Sequence, residues 1–175
     1  MKAVVAALKG VVLAVELFVM IVAINWDKLL FIVIVAADQF VKSIITASMV
    51  PGESIPILQH VFHLTYVLNP GAAFGILPNQ RIFFIILGIT VLALTMMIYS
   101  RIKRSDVAMR IGMISMISGA AASLIDRFQN GLVVDFIDFR IWPVFNIADI
   151  SIVIGTCFMI YSLTFKIGET KSAHE

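Results

Sequence analysis

The sequence predicts an all-α membrane protein, a bundle of four transmembrane helices with room for a fifth hydrophobic helix at the N-terminus. Three observations carry that expectation. The 175 residues are 61% hydrophobic and only 14% charged, with a mean hydropathy of +1.03, which is too apolar for a soluble domain of this size. Four apolar stretches, residues 29–49, 82–100, 107–125 and 145–165, are each near the ~20 residues that cross about 30 Å of hydrocarbon as a helix. Helices are required because only they satisfy their own backbone in lipid, and no long alternating strand pattern is present. Finally, Arg101, Lys103, Arg104 and Arg110 crowd the second connection and Lys166 and Lys171 follow the fourth stretch, so those ends are cytoplasmic by the positive-inside rule. Loops 50–81 and 126–144 are then extracytoplasmic.

Residues 3–24 are long enough to span, yet Lys2, Lys9 and Glu16 recur every seven residues as one polar stripe. The segment is either an extra span, with Lys2 outside against the usual charge bias, or an interfacial amphipathic helix. No small-residue cleavage site precedes Asn25-Trp26-Asp27-Lys28, which argues against a removable signal peptide. The expected organisation is an N-terminal hydrophobic extension over 1–27, a membrane domain over 28–167 and a cytoplasmic tail over 168–175.

In the first clear span Asp38 and Lys42 stand at i and i+4, on one helix face, as a ready ion pair that faces protein and not lipid. The outer loop 52–77 holds the β-favouring run Val61 to Leu68 followed by the turn Asn69-Pro70-Gly71, which predicts a short strand or hairpin on the membrane surface. In the third span, Ser118-Gly119-Ala120-Ala121-Ala122-Ser123 reads as a close-packing helix face. At its outer end Asp126-Arg127 reads as a self-compensating pair, or Arg127 as a fork for a substrate carbonyl or phosphate.

The chemistry points to Asp135 and Asp149, which flank the entry into the last span. A carboxylate in poor solvent is costly unless it is paired, hydrogen-bonded or protonated. If the intervening loop folds back, two carboxyls meet, share one proton and can act as base and acid towards a water and a carbonyl. Asp138 competes with Asp135, since residues three apart in an extended segment point to opposite sides and only one can face Asp149. Asn146 and Asp149 also fit a helix N-cap arrangement, which is compatible with the catalytic reading.

Other classes are disfavoured. There is no basic run with interleaved aromatics for nucleic acid, Cys157 is a lone cysteine, and His60 and His63 lack a third metal ligand nearby. A proton-coupled carrier would use Asp38, Asp126, Asp135 and Asp149 as a relay through the bilayer, yet three of these cluster at the outer end.

Taken in order, Asp38-Gln39-x-x-Lys42, Asn69-x-Gly71-Ala72-Ala73-Phe74-Gly75, Ile125-Asp126-Arg127, Val133-Val134-Asp135-Phe136-Ile137 and Phe145-Asn146-Ile147-Ala148-Asp149 strongly resemble the bacterial lipoprotein signal peptidases. The resemblance implies a four-helix aspartic endopeptidase of the cytoplasmic (inner) membrane, needing no cofactor or metal, with its site at the extracytoplasmic face; a monomer is expected because no sequence feature demands a partner helix. Its substrates would be prolipoproteins cut before a diacylglyceryl-cysteine in the plane of the membrane lipid. By motif position Asp135, and not Asp138, forms the catalytic pair with Asp149. Asn69, Gly71, Ala73, Phe74, Ser123, Arg127 and Asn146 would bind substrate or line its channel, and Asp38, Lys42 and Asp126 would support the site, beneath an extracytoplasmic cradle between the first and second spans. Ala122-Ser123 departs from the family's usual Gly-Asn, and Leu68 from a usual polar residue. The first change makes a catalytically weakened relative that binds lipidated proteins the main alternative.

Overall fold

The computed structural model describes residues 2–71 and 77–172, with side chains described for Glu16 and from Asn25 to Phe165. Ala73 and Phe74 lie outside the described residues. Helix α1 (Lys2–Ser48) is interrupted at Asn25, whose φ of −121° and ψ of 20° are non-helical. The hydrophobic extension is thus helical but set apart by a kink from the span that follows. Helices α2 (Arg81–Tyr99), α3 (Val107–Gln129) and α4 (Ile147–Ser172) complete the helical part. Among the described residues, four helical segments are long and apolar enough to cross a membrane, at Asn25–Ser48, Arg81–Tyr99, Val107–Gln129 and Ile147–Phe165.

Helix α3 is the centre of the bundle. Its span is 61% buried, whereas the other three are 11–22% buried and leave their Ile, Leu, Phe and Val side chains facing outward, as lipid-facing helices do. It packs on α1, α2 and most extensively α4. The α3–α4 approach depends on glycine: a Cβ on Gly119 would come within 2.4 Å of the Ala148 carbonyl oxygen, and one on Gly155 within 2.5 Å of the Gly112 oxygen. The small-residue face expected around 118–123 is therefore a packing face, with Gly112 and Gly155 continuing it. Ala122 is fully buried, so the helix accommodates its methyl.

At one end of the bundle, strands β1 (Ser54–Leu58), β2 (Phe62–Asn69) and β3 (Val133–Asp138) form an antiparallel sheet in the order β1-β2-β3. The sheet is larger than the expected hairpin, because the connection between α3 and α4 supplies its third strand. Tyr66, Val134 and Phe136 pack from the sheet onto Ile45 and Met49 at the end of α1, fixing the sheet on the bundle. The β2–β3 register sets Val67 opposite Asp135 and His63 opposite Asp138, with an irregularity between Leu64 and Val67. At the other end of the bundle, Asp27 accepts from the Tyr99 hydroxyl at 2.6 Å and pairs with Arg110 at 2.7 Å, tying α1, α2 and α3.

Candidate active site

Strand β3 carries Asp135 into the molecule, where it is 2% exposed. Each of its oxygens accepts from a side-chain amide: Oδ2 from Asn69 Nδ2 at 2.9 Å and Oδ1 from Asn146 Nδ2 at 2.6 Å. Asn69 ends β2 and is itself oriented by the Gly71 N–H, which donates to its Oδ1 at 2.9 Å. Burial pushes the Asp135 carboxyl up to about 7. The Asn69 bond opposes that shift, the Asp149 charge adds to it, and the Asn146 bond and the Lys42 charge oppose it.

Asp149 is half-buried in the first turn of α4. The Asn146 backbone N–H donates to Asp149 Oδ2 at 3.1 Å, and the Asp149 N–H donates to Asn146 Oδ1 at 3.0 Å, a reciprocal cap at the helix start. Asn146, fully buried, therefore touches both aspartates, so capping and site-building are one arrangement. Asp135 and Asp149 line a single cavity of about 490 Å³ together with Asn69, Gly71, Ser123 and Arg127. Trp142, Pro143, Val144, Ile152 and Val153 supply much of its apolar wall. Sequence reasoning missed these five, because ordinary apolar residues in a loop and a span carry no local signal of facing a cavity.

The opposition of Asp135 and Asp138 expected from strand geometry holds. Asp138 accepts from Thr65 Oγ1 at 2.7 Å and from the Arg140 backbone N–H at 2.8 Å, and pairs with Arg140 at 2.9 Å. These bonds outweigh burial and hold its carboxyl below the ordinary carboxylate range.

Asp126 and Arg127 are not a mutual pair, contrary to one of the two expectations for them. Helix α3 continues to Gln129, and adjacent residues on a helix diverge. Asp126 instead binds Lys42 Nζ at 2.7 Å and accepts from Gln39 Nε2 at 2.8 Å. Arg127 is 8% exposed, donates from Nη2 to the Gly71 carbonyl at 2.5 Å, and lies with its guanidinium 4.2 Å from the centre of the Phe84 ring. Its Nη1 has no hydrogen-bond partner among the described residues, which leaves a donor for a ligand in the cavity.

The Asp38–Lys42 pair forms as expected, at 2.7 Å, with exposures of 0% and 4%. Gln39 was not singled out as a functional residue, although a glutamine inside an apolar span was a usable signal; it bridges Asp38, Asp126 and the Ala122 carbonyl. Since Asp38 and Asp126 are both committed to Lys42, the carrier reading loses its relay. His63 Nδ1 lies 3.1 Å from Ser54 Oγ, and no group of three His, Cys, Asp or Glu residues suited to a metal occurs among the described residues.

Fold and cavity together define a class, an integral membrane enzyme built of helices, with two carboxyls presented where a strand and a helix start converge. The chain belongs to the signal peptidase II family, whose model, described as "Signal peptidase (SPase) II", matches residues 30–165. A lipoprotein signal peptidase of Halothermothrix orenii is 47% identical over 133 residues, 75% of this chain and 90% of that protein. Those of Moorella thermoacetica and Clostridioides difficile are 43% and 46% identical, covering 81% and 79% of this chain and 94% and 95% of theirs. A solved structure of a bacterial membrane enzyme matches with a TM-score of 0.77 at 35% identity, covering 83% of this chain and 92% of its own.

Proposed function

We propose that this chain removes signal peptides from prolipoproteins, cutting before a diacylglyceryl-modified cysteine, with Asp135 and Asp149 as its catalytic pair. The observation that carries this reading is that both carboxyls line one cavity and are held by the same buried residue, Asn146. With the Asp135 carboxyl raised to about 7, the pair keeps one proton below neutrality; in this reading Asp135 is the acid and Asp149 the base.

As Asp149 takes a proton from water, the hydroxide oxygen bonds to the scissile carbonyl carbon and Asp135 gives its proton to the carbonyl oxygen. The gem-diol then returns a proton to Asp135 as the C–N bond breaks. Asp149 passes its proton to the departing amine of the modified cysteine, which restores the pair. In this reading Asn69 and Arg127, which line the cavity, contact the substrate backbone, Gly71 and Ser123 shape its channel, and Ala73 and Phe74, outside the described residues, belong to the same channel by motif. Asp38, Lys42 and Asp126 support the site.

The same reading puts the peptidase domain at 28–167, between the hydrophobic extension 1–27 and a cytoplasmic tail 168–175. It makes the enzyme a monomer of the bacterial inner membrane with its site at the extracytoplasmic face. A lipid-anchored substrate is confined to the plane in which this cavity would sit, which raises its effective concentration. The test is gel-monitored cleavage of a diacylglyceryl-modified prolipoprotein by the purified full-length protein in detergent. Cleavage before the modified cysteine, lost in Asp135→Asn and in Asp149→Asn, supports the reading; binding without cleavage by folded wild type replaces it with the binding relative.

A further inference from the structure

Directly before each member of the pair stands a residue whose backbone amide donates to a buried carboxylate from another helix. The Val134 N–H donates to Asp126 Oδ2 at 3.3 Å, and the Ala148 N–H donates to Asp38 Oδ1 at 2.9 Å. The two acceptors come from α3 and α1, are 5% and 0% exposed, and are joined by one cation: Lys42 Nζ lies 2.7 Å from Asp126 Oδ2 and 2.7 Å from Asp38 Oδ2. We infer that Lys42 is a positioning residue, a strut that clamps Asp38 to Asp126 so that these carboxylates hold the backbone before Asp135 and before Asp149 at a fixed separation. The inference rests on the proposed catalytic pair and adds what sets its geometry.

The physical case is one of charge in poor solvent. Two buried carboxylates this close to one ammonium repel each other once the ammonium is gone, and one must then protonate or move. Gln39 cannot replace the cation. It donates to Asp126 at 2.8 Å, to Asp38 at 3.3 Å and to the Ala122 carbonyl at 3.2 Å, but it carries no charge. The Asp38 arm acts on the second residue of α4, where a free amide and the positive end of the helix dipole both favour an anion. The Asp126 arm acts on β3, whose Val134 carbonyl is held on its other side by Asn146 Nδ2 at 3.3 Å.

A strut of this kind differs from a pair that merely stabilises the bundle, because Lys42 also bears on the Asp135 proton. The charged groups that face Asp135 are Lys42 from α1, Arg127 from α3 and Asp149 from α4. Without Lys42, proton release from Asp135 moves to higher pH.

The experiment is Lys42→Met in the full-length protein in detergent, with cleavage kinetics as a function of pH and amide hydrogen exchange measured on the same sample. The expected result is a kcat more than tenfold lower with KM within threefold, and a basic limb of the kcat profile displaced upward. Exchange at Val134 and Ala148 should quicken at least tenfold while α2 stays as in wild type. Wild-type exchange at those two amides, or an unmoved basic limb in a folded variant, overturns the inference. The exchange readout does not need turnover, so a wild type that fails to cleave removes the proposed function without deciding the strut. Should Lys42→Met fail to fold, Asp38→Asn, which keeps an acceptor for the Ala148 amide, is compared with Asp38→Leu, which does not. At least a tenfold advantage in kcat for the asparagine variant supports the strut, and equal losses overturn it.

Discussion

Asp135 and Asp138 lie three residues apart on one strand, both almost fully buried, and their carboxyls are driven in opposite directions. Asp135 meets two neutral amide donors and another carboxyl, and stays protonated up to about pH 7. Asp138 meets a hydroxyl, a backbone N–H and a guanidinium, and is held ionised. Residue type is the same and neither side chain is open to solvent, so depth and partners together decide: deep burial raises Asp135, whereas at Asp138 the hydroxyl, amide and guanidinium outweigh a weaker burial. The faces of a strand sort those partners: one points into the cavity beside Asp149, the other towards Thr65 and Arg140.

Breaking the comparison on the side of the proposed catalytic pair has the largest expected effect. Asp135→Asn or Asp149→Asn should lower cleavage by a factor on the order of 1,000 or more in a single-turnover gel assay, because neither half of the acid–base pair works alone. Asn146→Ala comes next. It removes a donor from Asp135 and the cap of α4, so kcat should fall roughly tenfold to a hundredfold, with a loss of about 1–2 kcal/mol in thermal unfolding.

The pH dependence reads the same contrast without a mutation. Asp135 binds its proton more tightly folded than unfolded, so its contribution to stability falls as pH rises from about 4 through about 7, and kcat should fall beyond about 7. Asp135→Asn should flatten that decline in Tm between pH 5.5 and 8, and an unchanged slope would show that another group sets it. The smallest effect belongs to the structural side. Asp138→Asn should keep cleavage within threefold while costing on the order of 1 kcal/mol, since half-exposed Arg140 is a weak partner and Thr65 can still donate to the asparagine carbonyl. A loss as deep as that of Asp135→Asn would remove the assignment of the pair.

Much of this was legible in the chain. The spans are runs of apolar residues, and their ends moved by at most four positions, most at the start of the first span, at Asn25, and at the end of α3, at Gln129. The ion pair Asp38–Lys42 and the cap Asn146–Asp149 are local, set by helix spacing, and both form. The helical character of the N-terminal extension was readable too, but not the kink at Asn25. What failed were inferences that treated neighbours in sequence as neighbours in space, above all Asp126 with Arg127, whose side chains leave the helix in different directions.

The sequence by itself determined that this is a membrane protein of four core spans with two aspartates at the entry to the last, because hydropathy, length and charge bias act over contiguous residues. Only the tertiary structure decided that β3 joins the strands of the loop between α1 and α2, that Asn146 reaches both aspartates, and that Lys42 binds Asp126 as well as Asp38. These contacts bring together residues far apart in the chain, whose meeting depends on sheet register and on the glycine-lined approach of α3 to α4, and no local pattern encodes either.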